Sequence, residues 1–164
     1  MKAGQRETEM IKEKWRMEVQ IDNRQENHRI SRKKIRQTAS VILNALDYPD
    51  AELSILIVDD QRIAQLNRQY LKREGPTNVI AFSMRQGQFS DMAPNLLGDV
   101  VISADTAQRE AQSAGISMQD RFDQLLIHGT LHLLGYDHEN TKAEARKMEE
   151  KTNELLQLLE YQTK

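Results

Sequence analysis

"ELSILIVDD", residues 52–60, is an almost unbroken apolar run that ends on two aspartates. A run this short and this apolar reads as the central strand of a sheet. The segments around it agree. "RMEVQID" (16–22) alternates Met17, Val19 and Ile21 with polar neighbours, the period of a half-buried strand. "TNVIAFSM" (77–84) and "LGDVVIS" (97–103) read as two further strands, separated by the turn-rich "RQGQFSDMAPNL". A helix from Ser31 to about Leu46 carries Ile35, Ala39, Ile42 and Leu46 at three- and four-residue steps. Asp60 is the expected cap of a second helix, which bears Ile63, Leu66 and Tyr70 and stops by Gly75-Pro76. A third runs from about Thr106 to Gly115. Ser117 with Asp120 opens a fourth that reaches Gly135, and Thr141 with Glu144 opens a last one. The order β, α, β, α, β, β, α, α, α predicts an α+β (α/β-like) single domain, with about four strands in one small sheet packed with helices. Residues 1–15 are expected to form a flexible N-terminal extension, and 16–164 the single domain.

Composition narrows the chemistry. The 164 residues carry a net charge of −2 and contain no cysteine, which excludes disulfides, thiolate metal sites and cysteine nucleophiles. The first residues are polar and mixed in charge. No later stretch approaches the roughly 18 apolar residues of a membrane span, so a cytoplasmic protein with no membrane partner is expected. The overall charge does not advertise nucleic-acid binding, although it permits a local basic surface.

The chemistry concentrates in "HGTLHLLGYDH" (128–138), which holds three of the four histidines. His128 and His132 are four apart on a predicted helix, so both imidazoles lie on one face and can reach one ion. Gly135 can end that helix in the left-handed conformation, which brings His138 toward the same ion from another side. Three nitrogen ligands leave one tetrahedral position open, the ligand count of a catalytic zinc site, where a bound water would have its pKa lowered to about 7. Three imidazoles suit nickel as well as zinc. His28 stands alone and reads as a surface or loop residue. The spacing is that of a metzincin protease, but position 129 is glycine where such a peptidase carries its catalytic glutamate. Met148, the only downstream methionine, falls inside a predicted helix and offers no Met-turn. A zinc peptidase is therefore the weaker enzymatic reading.

The same eleven residues match the H-G-x-L-H-L-x-G-Y-D-H signature of the YbeY family of bacterial zinc-dependent endoribonucleases. "LNRQYLKREGPTNVIAF" (66–82) resembles that family's asparagine-then-P-T-[DN]-V segment, and "LGDVVIS" resembles its L-G-D-[IV]-x-I-[SC] strand. The resemblance spans about residues 52–140. It implies a small mixed sheet, zinc held by His128, His132 and His138, and a role in maturing small-subunit rRNA, particularly its 3′ end, and in ribosome quality control. It also implies RNA and the small ribosomal subunit as partners, with no DNA expected. The chain departs from the family at Leu71, where many members place an arginine directly after the tyrosine; Lys72 and Arg73 follow. Ala81-Phe82-Ser83 stands where the matching members have Ser-Phe-Pro. A ribosome assembly factor with a structural metal is the non-enzymatic alternative.

Several other residues have two readings. Gly129 either leaves room for a nucleotide backbone or allows close helix-to-sheet packing. Asp137 either orients a ligand imidazole from behind or caps the turn. Asp99 either lines a cleft or accepts backbone hydrogen bonds at a strand start. Thr77 and Asn78 either contact a substrate phosphate or serve the turn after Pro76. Two basic clusters are candidates for RNA: "RISRKKIR" (29–36), whose Arg32, Lys33 and Lys34 fall in a first helical turn that disfavours cations and which also holds Arg36, and Arg68, Lys72 and Arg73. Each also fits a solvated helix face. Aromatics make up 5% of the chain, so backbone contacts and RNA shape are expected to outweigh base stacking.

Overall fold

A computed structural model describes residues 17–85, 95–137 and 141–163. The expected extension 1–15, most of the loop after Arg85, and His138 lie outside the described residues. The elements run β1 (Glu18–Asn23), α1 (Arg32–Ala45), β2 (Glu52–Val58), α2 (Asp60–Leu71), β3 (Val79–Ser83), β4 (Leu96–Ser103), α3 (Ala104–Ala114), α4 (Met118–Leu133) and α5 (Lys142–Thr163). Kinds and order are those expected, and Met148 is buried in α5.

The four strands form one sheet in the order β1-β2-β4-β3. β1 and β4 flank β2 in parallel, and β3 pairs antiparallel with β4. The run that suggested a central strand is thus central. Its alternate residues face different layers. Leu53, Ile55 and Ile57 join the main core, with Ile35, Ile42 and Leu43 of α1, Leu126 and Leu131 of α4, and Leu155 of α5. Val58 faces the opposite side, where it packs with Ile63 and Leu66 of α2, Ile80 and Val101, while Leu56 is only partly covered. One face of the sheet is therefore thickly covered and, among the described residues, the other carries α2 alone. β-branched residues on both faces of β2 and β4 suit strands that are buried on two sides.

Helix starts follow the expected chemistry, with one correction. The cap of α2 is Asp59, whose Oδ1 accepts from the Arg62 N–H at 2.8 Å. Asp60 is instead the first helical residue and accepts from Ser103 Oγ and Thr106 Oγ1, both at 2.6 Å, while pairing with Arg109 at 2.7 Å. Burial works to raise the Asp60 pKa, but these three partners together outweigh it and hold the carboxyl below its ordinary range. His28 is more than a surface residue. Its Nε2 lies 2.8 Å from Asp105 Oδ1, and Asp105 Oδ2 accepts from the Asp60 N–H at 3.0 Å. That backbone hydrogen bond is the main reason Asp105 also titrates low. The group ties the β1–α1 loop to the starts of α2 and α3, at the carboxyl ends of the parallel strands.

Asp123 of α4 behaves oppositely. Burial between α1 and α4 pushes its pKa up to about 6, despite hydrogen bonds donated by Gln119 at 2.8 Å and Thr38 at 3.2 Å. Between about pH 4 and 6 the folded protein keeps a proton that the unfolded chain has released. Stability therefore falls as pH rises through that window, and the cost is fully present above it. Asp123→Asn keeps an acceptor for both donors. We expect it to raise stability at pH 7.5 by on the order of 1–2 kcal/mol, the full linkage value being discounted for partial solvation. Urea unfolding from pH 4.5 to 8 checks this, because the advantage must shrink toward the acid end.

Candidate active site

The site is built on α4. Ser117 caps its start, accepting from the Asp120 N–H at 3.0 Å. Its end is a Schellman turn. The Gly135 N–H donates to His132 O at 3.1 Å and the Tyr136 N–H to Leu131 O at 3.0 Å, with Gly135 at φ +94°. This is the left-handed stop that the spacing predicted.

The lie of the helix is fixed at position 129. Gly129 is buried, and a Cβ there would stand 2.7 Å from Val100 Cγ1 and 3.2 Å from Val79 Cγ2. Glycine lets α4 rest directly on β3 and β4. Of its two readings, close packing is the one the contacts favour. They also explain the absence of a peptidase glutamate, since a side chain at 129 would start out aimed at the sheet and not into solvent.

His128 is one residue before that contact, and His132 is three after it. Both are half-buried, and their Nε2 atoms are 3.1 Å apart, with ring centroids 4.6 Å apart and planes at 68°. Two nitrogens bound to one tetrahedral zinc at 2.0–2.1 Å would stand about 3.3 Å apart. The pair thus fits the span an ion requires with little adjustment. Among the described residues no third His, Asp or Glu completes a metal group; His138 falls just outside them. Asp137, its neighbour, is half-buried two residues beyond Gly135.

At about 100° per residue, His128 lies roughly 140° and His132 roughly 180° around α4 from Asp123, which bonds to α1. The histidines therefore face away from α1. The exposed cluster Arg32, Lys33, Lys34 and Arg36 at the start of α1 is not brought to them. Arg121, seven residues before His128, shares the histidine face instead. It donates to Glu110 Oε1 at 3.1–3.2 Å, and Glu110 also accepts from Asn78 Nδ2 at 3.2–3.3 Å. The Asn78 amide is thereby engaged within the protein, which favours its structural reading. The sequence reading missed Arg121 and Glu110, although the seven-residue spacing from Arg121 to His128 was a usable signal.

The histidine face opens toward β3, the outer strand. Asn78 O accepts from the Ser103 N–H and the Met84 N–H donates to Leu97 O, both at 3.0 Å. The antiparallel alternation then turns the backbone groups of Val79, Ala81 and Ser83 outward, away from β4. Ser83 Oγ donates to Leu133 O at 3.4 Å, fixing the far end of β3 to the end of α4. Lys72, at φ +54°, closes α2, and Arg73 follows; both are exposed on the loop leading to β3, with Thr77 half-buried. Asn67 Nδ2 holds that loop by donating to Gly75 O at 3.0 Å. Asp99 is placed on the opposite face of the sheet, where it lines a groove with Phe82 and Tyr70. That is the cleft-lining alternative of its two readings, in a cleft away from the histidines.

Gly129→Ala must move α4 off Val100. We expect a loss of about 1–3 kcal/mol in stability and weaker zinc binding. Thermal unfolding and zinc titration of the variant measure the two separately.

Residues 20–160 match the family model described as "Endoribonuclease YbeY". A Geobacter sulfurreducens protein named Endoribonuclease YbeY is 54% identical over 145 residues, covering 88% of this chain and 97% of that protein. The Aquifex aeolicus protein of the same name is 42% identical over 131 residues, covering 80% and 85%. The solution structure of TM1509 from Thermotoga maritima shares the fold at a TM-score of 0.61 and 19% identity, covering 88% of this chain and 92% of that one. With a family match over residues 20–160, a span that includes the histidine helix, the Asn67–Pro76–Thr77 segment and the Gly98-Asp99 strand, the chain belongs to the YbeY family of endoribonucleases.

Proposed function

We propose that this chain is a zinc-dependent endoribonuclease that cleaves ribosomal RNA in the cytoplasm and matures the 3′ end of the small-subunit RNA in contact with the small subunit. The observation that carries the zinc dependence is the 3.1 Å approach of the His128 and His132 Nε2 atoms on a helix face that opens to an outer strand. His128, His132 and His138 would hold the ion. Bound there, zinc would supply a Lewis acid for phosphodiester cleavage. The remaining work falls to the protein. Gly129 and the Schellman turn set the histidines, Glu110 holds Asn78 and Arg121 so that β3 and α4 keep their spacing, and exposed Lys72 and Arg73 offer cations to phosphates arriving along the α2–β3 loop. Asp137 would orient an imidazole ligand from behind.

The peptidase alternative loses support at position 129, which is filled by packing and has no side chain to act as base. No helix among the described residues is long and apolar enough to cross a membrane.

The test follows cleavage of a structured rRNA 3′-end fragment while a chelator removes the metal, beside His132→Ala. We expect cleavage to vanish with the metal, to return on adding zinc, and to fall at least 100-fold in the variant. Cleavage that persists in both would overturn the proposal. Ribosome binding that survives with no cleavage under any metal would favour the assembly-factor reading.

A further inference from the structure

The thinly covered face of the sheet holds a groove of about 470 Å³ beside α2, within the size range of small-molecule sites. Its floor includes a row of residues that the register sets side by side. Ser54 of β2 is opposite Asp99 of β4, and Asp99 is opposite Phe82 of β3. Tyr70 of α2 stands over this row at 58% exposure, its ring centroid 5.4 Å from that of Phe82 with the planes at 74°. Arg24 and Arg62 also line the groove. Asp22 pairs with Arg24 at 2.7 Å, while none of the described hydrogen bonds or ion pairs engages the Asp99 carboxylate.

We infer that this groove is a base subsite selective for guanine, which takes an unpaired guanosine of the RNA on the side of the sheet opposite the histidines. The inference rests on the RNA reading above and names where specificity resides. An ionised carboxylate only accepts hydrogen bonds. Guanine is the RNA base whose Watson–Crick edge offers two adjacent donors, N1–H and N2–H, and its neighbouring O6 accepts. Asp99 takes the two donors, and the Ser54 hydroxyl, one strand over, donates to O6. Adenine and cytosine set a ring acceptor beside their amino group, and uracil flanks its N–H with carbonyls. Each would leave an Asp99 oxygen facing a lone pair. Tyr70, the exposed ring of this edge-to-face pair, supplies the aromatic face on which a splayed base stacks, with Phe82 set edge to face against it, and the arginines offer cations to the flanking phosphate. Aromatics are few in this chain, yet two of the seven Phe and Tyr residues converge here. Strand β3 separates this groove from the histidine face. An RNA strand crossing that edge would present one nucleotide to Asp99 while a linkage further along the strand lies at the histidines.

The full-length protein is titrated with GMP, AMP, CMP and UMP, and backbone amide shifts are followed by NMR. We expect GMP to move groove resonances (Ser54, Phe82, Val101) at concentrations at least fivefold below the other three. Asp99→Asn is expected to abolish the preference, and Tyr70→Ala to weaken all four nucleotides. Equal affinities, shifts confined to the histidine face, or an Asp99→Asn protein that still prefers GMP overturn the inference. So do groove shifts that appear only with N-acetyl-arginine amide, which would mark a peptide site. Cleavage separates the two proposals. Replacing single guanosines by inosine, which lacks the N2 amino group, is expected to slow cutting at one position by tenfold or more. Cutting that is indifferent to inosine, in a protein without GMP preference, overturns the groove and leaves the nuclease standing. GMP preference in a protein that cleaves no RNA keeps the groove and overturns the nuclease.

Discussion

Helix α4 rests on the sheet at Gly129, where it lies on Val100 and Val79 with no room for a methyl group. A helix that touches a sheet this closely has little freedom to roll, because a rotation would drive Leu125, Leu126 or Leu133 into neighbours that already fill the core. The direction of the histidine face follows from that restriction. So does the identity of residue 129, since the position flanked by chemistry is itself occupied by packing. The Schellman turn at Gly135 completes the arrangement by fixing where the chain leaves the helix.

A second consequence is the inequality of the sheet's two faces. α1, α4 and α5 cover one face with most of the core, while α2 covers part of the other. The thick side holds the helix that presents the histidines. The thin side leaves Asp99, Phe82 and Tyr70 accessible in a groove. Between them runs β3, short, outermost and antiparallel, pinned at its start by Asn78 to Glu110 and at its end by Ser83 to Leu133. The histidine face and the groove thus border the same strand. The carboxylates at the far ends of the parallel strands serve another purpose. Asp60 and Asp105 lock three element junctions together, and their low titration reflects how many donors they satisfy.

Much of this was legible in the chain. The apolar run 52–58, the alternation at 17–21, the three- and four-residue steps in α1 and the capping pairs at Ser117 and Thr141 are local signals, and local sterics and hydrogen bonding suffice to realise them. The histidine pair was legible for the same reason, since helical periodicity puts i and i+4 on one face regardless of what the helix packs on. Asp60 was misassigned as a cap because Asp59 carries the same side chain one position earlier, and sequence cannot say which of two adjacent carboxylates meets the helix. His28 is in a loop, one of its two expected places, but its pairing with Asp105 could not be read locally because the two are 77 residues apart.

The sequence by itself determined the elements, their order, the turn at Gly135 and the shared face of His128 and His132, because each depends on interactions within a few residues. The tertiary structure decided what those pieces confront: that Gly129 is a packing residue, that Arg32 to Arg36 lie away from the histidines, that Arg121 pairs with Glu110 on the histidine face of α4, and that Asp99 looks into a groove on the other face. These depend on strand order and on which face each helix covers. Both are set by the summed burial of side chains distant in sequence, a quantity that no local pattern contains.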